Sequence, residues 1–195
     1  MAPHVDDPAW LVCDSCGHRE PFVRLPLFCL AGPSGTGKST VARPLTPRLA
    51  DRVVVLEQDL LWHPDLDDPP GGHRVFRSTW LRLAAAIGQS GRPVLLCGTV
   101  VPPEIEPLPE RALFADVHYL ALTCSPAVLA ARLRARPAWR EWDEPRIAET
   151  LDHAAWLGAT AARLDPPVTL LDTTTTAPAV TAARVEEWIA PLLLR

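Results

Sequence analysis

The chain has 195 residues, a net charge of −4 and five cysteines. That length suits one α/β domain with a full core. The acidic balance and scattered arginines exclude a nucleic-acid binder built on a basic face, and no apolar run reaches the roughly eighteen residues of a membrane span.

The N-terminus, Met1-Ala2-Pro3-His4-Val5-Asp6-Asp7, is acidic and lacks the basic-then-apolar pattern of a secretory signal. A cytosolic protein is expected. Cys29, Cys97 and Cys124 lie in apolar strand-like runs and read as buried thiols, not disulfide partners. Residues 1–24 read as an N-terminal extension to a domain spanning 25–195. The extension holds Cys13-Asp14-Ser15-Cys16-Gly17-His18, half of a zinc-type knuckle. A Zn site at Cys13 and Cys16 needs further ligands, and neither His18 nor His4 has the usual spacing. A hairpin with Gly17 in its turn fits the residues better.

An apolar run, Leu25 to Ala31, predicts a buried first strand. It leads into Gly32-Pro33-Ser34-Gly35-Thr36-Gly37-Lys38-Ser39-Thr40, which matches the phosphate-binding loop pattern G-x-x-x-x-G-K-[ST]. The strand before it and the helix-competent segment after it supply the context the motif needs. The glycines let successive N–H groups turn inward on phosphate oxygens, and the helix N-terminus adds partial positive charge. Lys38 can reach the β- and γ-phosphates, and Ser39 can ligate Mg²⁺. Lys38 is the only lysine in the chain. Every other basic side chain is arginine, so a compact ammonium is kept at the one place that calls for it.

The helix after the loop is predicted over about 38–50, kinked or cut short by Pro44 and Pro47. Val53 to Leu56 is a β-branched run and reads as strand two. Asp59 follows at its C-terminal edge, where a carboxylate can orient an attacking hydroxyl or take its proton. Glu57, two residues earlier, would share that face on a strand and could hold Mg²⁺ through water. Trp62 and His63 come next and either line an acceptor pocket, Trp62 by stacking, or simply pack the loop. The acidic, Pro- and Gly-rich stretch 64–73 is a loop. Apolar spacing from Phe76 to Ile87 predicts a helix over 74–87. Arg77 on that helix could bind a phosphate carried by the acceptor, or it is a surface arginine.

Val94 to Cys97 reads as strand three, closing on Gly98-Thr99. A Pro-rich loop spans 102–109, a short helix 110–115, and strand four 117–122. Ser125 and Pro126 look like an N-cap and first helical residue, starting a helix to about Arg136. Arg132 and Arg136 share a face of it, Arg134 points elsewhere, and Arg140 lies in the loop beyond. These arginines could close over a transferring phosphoryl group. Residues 137–145 read as a mobile loop. A helix follows over about 145–164 with Ile147, Leu151, Ala154 and Gly158 on one face. Strand five is 168–171, then Asp172 and four threonines turn into a last helix, about 178–194. Five strands alternating with helices predict a doubly wound parallel sheet.

An Asn-Lys-x-Asp guanine signature is missing, and so is a plain Walker-B Asp of the motor type at the end of an apolar strand, strand three closing on Gly98-Thr99. A regulatory GTPase or a motor is therefore not expected. The chain resembles the P-loop nucleoside/nucleotide kinases and related small-molecule kinases for shikimate, gluconate and antibiotics. The resemblance rests on Gly32–Thr40, on Val53–Asp59, on Arg-Leu-x-x-Arg-Pro from Arg132 to Pro137, and on the strand-plus-helix ending after Asp172. It implies a three-layer α/β fold with sheet order 2-3-1-4-5, a small lid at about 137–146, Mg²⁺-ATP as donor, and an acceptor site near Asp59. It also implies that the loop from Asp172 to Thr176, with Asp172 and Thr174 as candidates, lies against the adenine. Residues 1–24 fall outside it, as does any acceptor-binding arginine motif of adenylate or thymidylate kinases.

The reading is an ATP-dependent phosphotransferase acting on a small molecule, first a nucleoside or nucleotide, with an antibiotic- or sugar-type acceptor as the alternative. It would work as a monomer or homodimer. A nucleotide-binding regulator with slow hydrolysis is the competing class. A zinc-bearing nucleic-acid binder is opposed by the charge and the missing ligands.

Overall fold

The computed structural model describes residues 4–6, 10–61, 64–66 and 72–193. Three short strands come first: β1 (His4–Asp6), β2 (Trp10–Val12) and β3 (Arg19–Pro21). They form an antiparallel sheet in that order. Five strands then build the main sheet: β4 (Leu27–Ala31), β5 (Val54–Glu57), β6 (Val94–Cys97), β7 (Val117–Thr123) and β8 (Val168–Asp172). Every pairing in it is parallel, and the order is β5-β6-β4-β7-β8. Counting these five alone, that is the expected 2-3-1-4-5, with the phosphate-loop strand at the centre.

Helices α1 (Lys38–Leu49), α2 (Arg74–Gly88), α3 (Pro102–Ile105), α4 (Pro126–Arg134) and α5 (Glu144–Thr160) connect the strands, and α6 (Pro178–Ile189) follows the last of them. All five residues of β4 are buried, so the strand packs on both faces. Alternation sorts them. Leu27, Cys29 and Ala31 join the cluster with Phe76, Trp80 and Ile105 from α2 and α3. Phe28 and Leu30 join the opposite cluster with Val41 and Leu45 from α1 and Val185 and Ile189 from α6. Each fully buried side chain of this kind contributes about 1.5–3 kcal/mol. The small N-terminal sheet leans on the first cluster through Val5 and Leu11.

Several boundaries depart from the sequence expectation for identifiable reasons. Helix α1 runs unbroken through Pro44 and Pro47. The carbonyls those prolines leave without a helical partner belong to Thr40 and Arg43, both on the exposed face, where water can serve them. The buried stripe Val41, Ala42, Leu45, Leu49 holds the helix to the sheet. The 102–109 loop contains a short helix, α3. On α5, Leu157 is buried and Gly158 is exposed, because the inward face at 147, 151 and 154 continues to 157 at helical spacing.

The N-terminal hairpin has Gly17 in its turn at φ 70°, as expected. Cys13 N–H donates to His18 O at 2.9 Å, and Gly17 N–H to Cys13 O at 2.8 Å. His18 faces Glu20 at 3.2 Å. Among the described residues no group of three or more His, Cys, Asp or Glu is placed to hold a metal, so this turn presents only the two thiols. All five cysteines are free.

Candidate active site

Sequence builds the centre of the site locally. Strand β4 ends at Ala31, and the chain turns sharply at Gly32, φ 129°. A Cβ here would run into Leu122 O of β7, so only glycine fits. The turn is closed by Thr36, whose hydroxyl donates to Pro33 O at 2.9 Å. Helix α1 then starts at Lys38, directly behind Gly37. Lys38 Nζ reaches back to donate to Gly32 O at 2.6 Å and Pro33 O at 3.1 Å. Burial lowers its pKa to about 8, against an opposing pull from the Asp59 carboxylate.

A cavity of about 700 Å³ opens over this loop. Its wall runs from Ser34 to Val41 and takes in Asp59, Gly98, Thr99, Arg132, Arg136, Arg140, Trp142, Arg146, Thr173 and Thr176. Of the phosphate loop, Ser34, Gly35, Thr36, Gly37, Lys38, Ser39 and Thr40 line it, while Gly32 and Pro33 shape it from below by accepting from Lys38. Asp59 stands on a 3₁₀ turn, Gln58–Leu61, just past β5. Glu57 is the last residue of β5, in register with Cys97. Strand alternation stops before Asp59, so the two carboxylates do not share a face by that rule, and Glu57 is not in the cavity wall.

The arginines come from three places. Arg132, near the end of α4, donates to Thr173 O at 2.9 Å and Thr173 Oγ1 at 3.3 Å. Arg136 and Arg140 flank the 3₁₀ turn Ala138–Arg140 that follows α4. Arg136 has its pKa lowered by burial, then by the nearby charge of Arg140. Arg134 does point elsewhere, making a two-pronged pair with Glu144 at 2.7 Å.

Sequence reasoning missed Trp142 and Arg146, and it named the loop 172–176 for Asp172 and Thr174, whereas Thr173 and Thr176 are the members that line the cavity. Arg146 belongs to the first turn of α5, capped by Asp143, whose carboxylate accepts from Arg146 N–H at 2.9 Å. The Asp-x-Pro-Arg capping pattern marks that helix start, but nothing local marks its direction. Thr173 is buried. Its hydroxyl lies 3.0 Å from Thr36 O and 2.9 Å from Thr123 O, tying the loop after β8 to the phosphate loop. Thr174 accepts from Ser125 N–H at 2.9 Å and donates to Asp172 at 2.5 Å. Asp172 and Thr174 thus brace the turn, outside the cavity wall. Arg77 is also outside it, paired with Glu104 at 2.6 Å and donating to Gly72 O. Trp62 and His63 lie outside the described residues.

Residues 29–152, more than half of the chain, match the family model described as an AAA domain, and the chain belongs to that family. No curated protein matches it. Solved structures similar to it include a sugar kinase from Janibacter sp. HTCC2649, at 19% identity and TM-score 0.60, covering 87% of this chain and 98% of the other. A shikimate kinase from Acinetobacter baumannii, in complex with shikimate, aligns at 19% identity and TM-score 0.55 over 88% and 96% of the two chains. Deoxyadenosine kinase from M. mycoides, with bound dATP, aligns at 13% identity and TM-score 0.55 over 85% and 100%. The fold is that of the P-loop small-molecule kinases.

Proposed function

We propose that the protein is an ATP-dependent phosphotransferase. It moves the γ-phosphoryl group of Mg²⁺-ATP to a hydroxyl of a small-molecule acceptor. The observation that carries this is the convergence of Lys38, Asp59 and Arg136 on one cavity over a phosphate loop. A nucleotide there would rest its phosphates on the N–H groups of residues 34–39, with Lys38 on the β- and γ-oxygens. Asp59 would accept the proton of the acceptor hydroxyl or hold it in line. Arg136, Arg140 and Arg146 would meet the charge that develops on the transferring group.

Ser39, in the first turn of α1 and on the cavity wall, suits an Mg²⁺ ligand. Bound there, the cation would neutralise phosphate charge. Glu57 could serve it only from outside the wall. Arg132 and the Thr173–Thr176 loop would flank the base.

The acceptor is best read as a hydroxylated molecule such as a nucleoside, the sugar-type acceptor being the alternative. Likeness to kinases of a sugar, shikimate and deoxyadenosine supports the hydroxyl. The pairing of Arg77 with Glu104 favours an uncharged acceptor over one bearing its own phosphate at that arginine. No described helix is long and apolar enough to cross a membrane, and we place the reaction in the cytoplasm.

The test is ADP release from Mg²⁺-ATP with and without nucleosides, nucleoside monophosphates, sugars and hydroxylated antibiotics. Turnover that needs one acceptor class establishes the kinase and its acceptor. Slow hydrolysis blind to every acceptor supports a nucleotide-dependent regulator instead.

A further inference from the structure

The N-terminal hairpin carries a thiol pair that the cavity does not use. Cys13 and Cys16 stand in the turn between β2 and β3, and both are free. The turn is closed twice. Gly17 N–H donates to Cys13 O at 2.8 Å, which winds residues 13–17 into one helical turn that goes no further. Cys13 N–H donates to His18 O at 2.9 Å. Gly17 leaves the turn at φ 70°, a conformation that glycine adopts without strain. Residues three apart on a helical turn share a side of it, with Cβ atoms about 5–6 Å apart. A disulfide spans roughly 3.5–4.5 Å between Cβ atoms, so a small adjustment of this exposed turn closes one. The sulfurs already meet, the Cys16 thiol donating a hydrogen bond to Cys13 Sγ.

The two thiols are chemically unequal. Cys13 Sγ accepts from the backbone N–H groups of Ser15 and Cys16, and these bonds hold its thiol below the ordinary range. Cys16 is exposed and Cys13 half-buried, so a dissolved reagent reaches the turn. Cys29 and Cys97 lie in the core, where burial pushes their thiols up. Among the described residues no third His, Cys, Asp or Glu joins the pair as a metal ligand. A structural zinc takes four ligands, whereas a disulfide is complete with the two that are present.

We propose that Cys13 and Cys16 form a thiol–disulfide exchange site that takes a small-molecule disulfide as its oxidant, with Cys13 attacking and Cys16 resolving. The Cys13 thiolate attacks one sulfur of the disulfide, whose S–S bond breaks. The first thiolate leaves and takes up a proton, and a mixed disulfide stands on Cys13. Cys16 then loses its proton and attacks Cys13 Sγ. The second thiolate leaves and is protonated, and the Cys13–Cys16 bond is closed. The two protein thiols give up two electrons and two protons, and the disulfide is reduced to two thiols. No step draws on the cavity.

The test adds oxidised glutathione to the full, reduced chain, quenches with acid, unfolds the protein and alkylates the thiols that remain. Tryptic peptide 1–19 holds both cysteines and ends at the first arginine. It should be lighter by two hydrogens and unalkylated, while Cys29 and Cys97 are alkylated in full. Cys16→Ser should stop at a mixed disulfide on Cys13. Cys13→Ser, left with the thiol that lacks the two N–H donors, should react roughly tenfold more slowly or worse. Glutathione retained on both cysteines of the wild type, with no closure, overturns the proposal. Equal rates in the two variants overturn the roles. Zinc is measured on the chain as purified. Zinc that either variant loses, and that shields wild-type thiols from glutathione until a chelator is added, makes the pair a metal site and overturns the exchange reading.

Discussion

Lys38 Nζ donates 2.6 Å to the carbonyl oxygen of Gly32, six residues back, so the ammonium is parked on its own loop. It is poised beside the cavity and partly stripped of water, with its pKa lowered to about 8. Phosphate oxygens would stabilise the charged form and raise that pKa. Nucleotide affinity is then fully present below pH 8 and falls as pH rises through it, by up to about tenfold per unit. Calorimetric titration between pH 7 and 9.5 checks this. Lys38→Arg, which stays charged, should bind more weakly with a flat profile. A flat wild-type profile would refute the role assigned to the ammonium.

Among the described residues, Asp59 is the one carboxylate in the cavity wall. Asp59→Asn keeps the size and removes the base. ATP affinity should stay within about threefold, while acceptor phosphorylation falls by roughly a hundredfold or more. Single-turnover kinetics with the acceptor separate the two effects, and an unchanged chemical step removes Asp59 from the mechanism.

Gly98, at the end of β6, backs directly on Gln58, which is 3% exposed. A Cβ at 98 would fall on the Gln58 side-chain amide. Gly98→Ala should therefore push the turn that carries Asp59, costing about 1–3 kcal/mol of stability and most of the activity. Gln58→Ala should restore part of both in the double variant, because it removes the amide but keeps the Cβ that stands 2.9 Å from the added methyl group. Additive losses in the double-mutant cycle would show that the contact is not what excludes the methyl group.

Thr173 joins four things: Arg132, Thr36 O, Thr123 O and the turn after β8. Thr173→Val keeps its shape and removes the hydroxyl. The loss should be about 2 kcal/mol, or roughly 4–8 °C in Tm for a chain of this size. Nucleotide affinity should fall with it, since the phosphate loop loses its tie to β8. Scanning calorimetry and ATP titration on the same samples check both. An unchanged Tm would show that the tie carries no energy.

The phosphate loop and the five core strands were legible before any coordinates, because each is a local pattern; the order of the strands was legible only through the resemblance to the P-loop kinases. Asp59 was legible too, from its place just past a strand. Glu57 was not separable from it, because a 3₁₀ turn breaks the alternation that would pair their faces. Pro44 and Pro47 misled because a proline signals a break only if the freed carbonyl has nowhere else to go, and here it faces water.

Sequence by itself determined which backbone forms a cradle of a shape that suits an anion, for the reason that the cradle is closed by contacts within a few residues: Gly32 at positive φ, Thr36 to Pro33, Lys38 to Gly32. Only the tertiary structure decided which distant side chains join it. Trp142 and Arg146 meet Arg136, itself a candidate from the sequence, across the break between α4 and α5, and Thr173 reaches the loop from 137 residues away. Arg77 is drawn off to Glu104 instead. Those choices follow from helix direction and packing against the sheet, and no local spacing carries them.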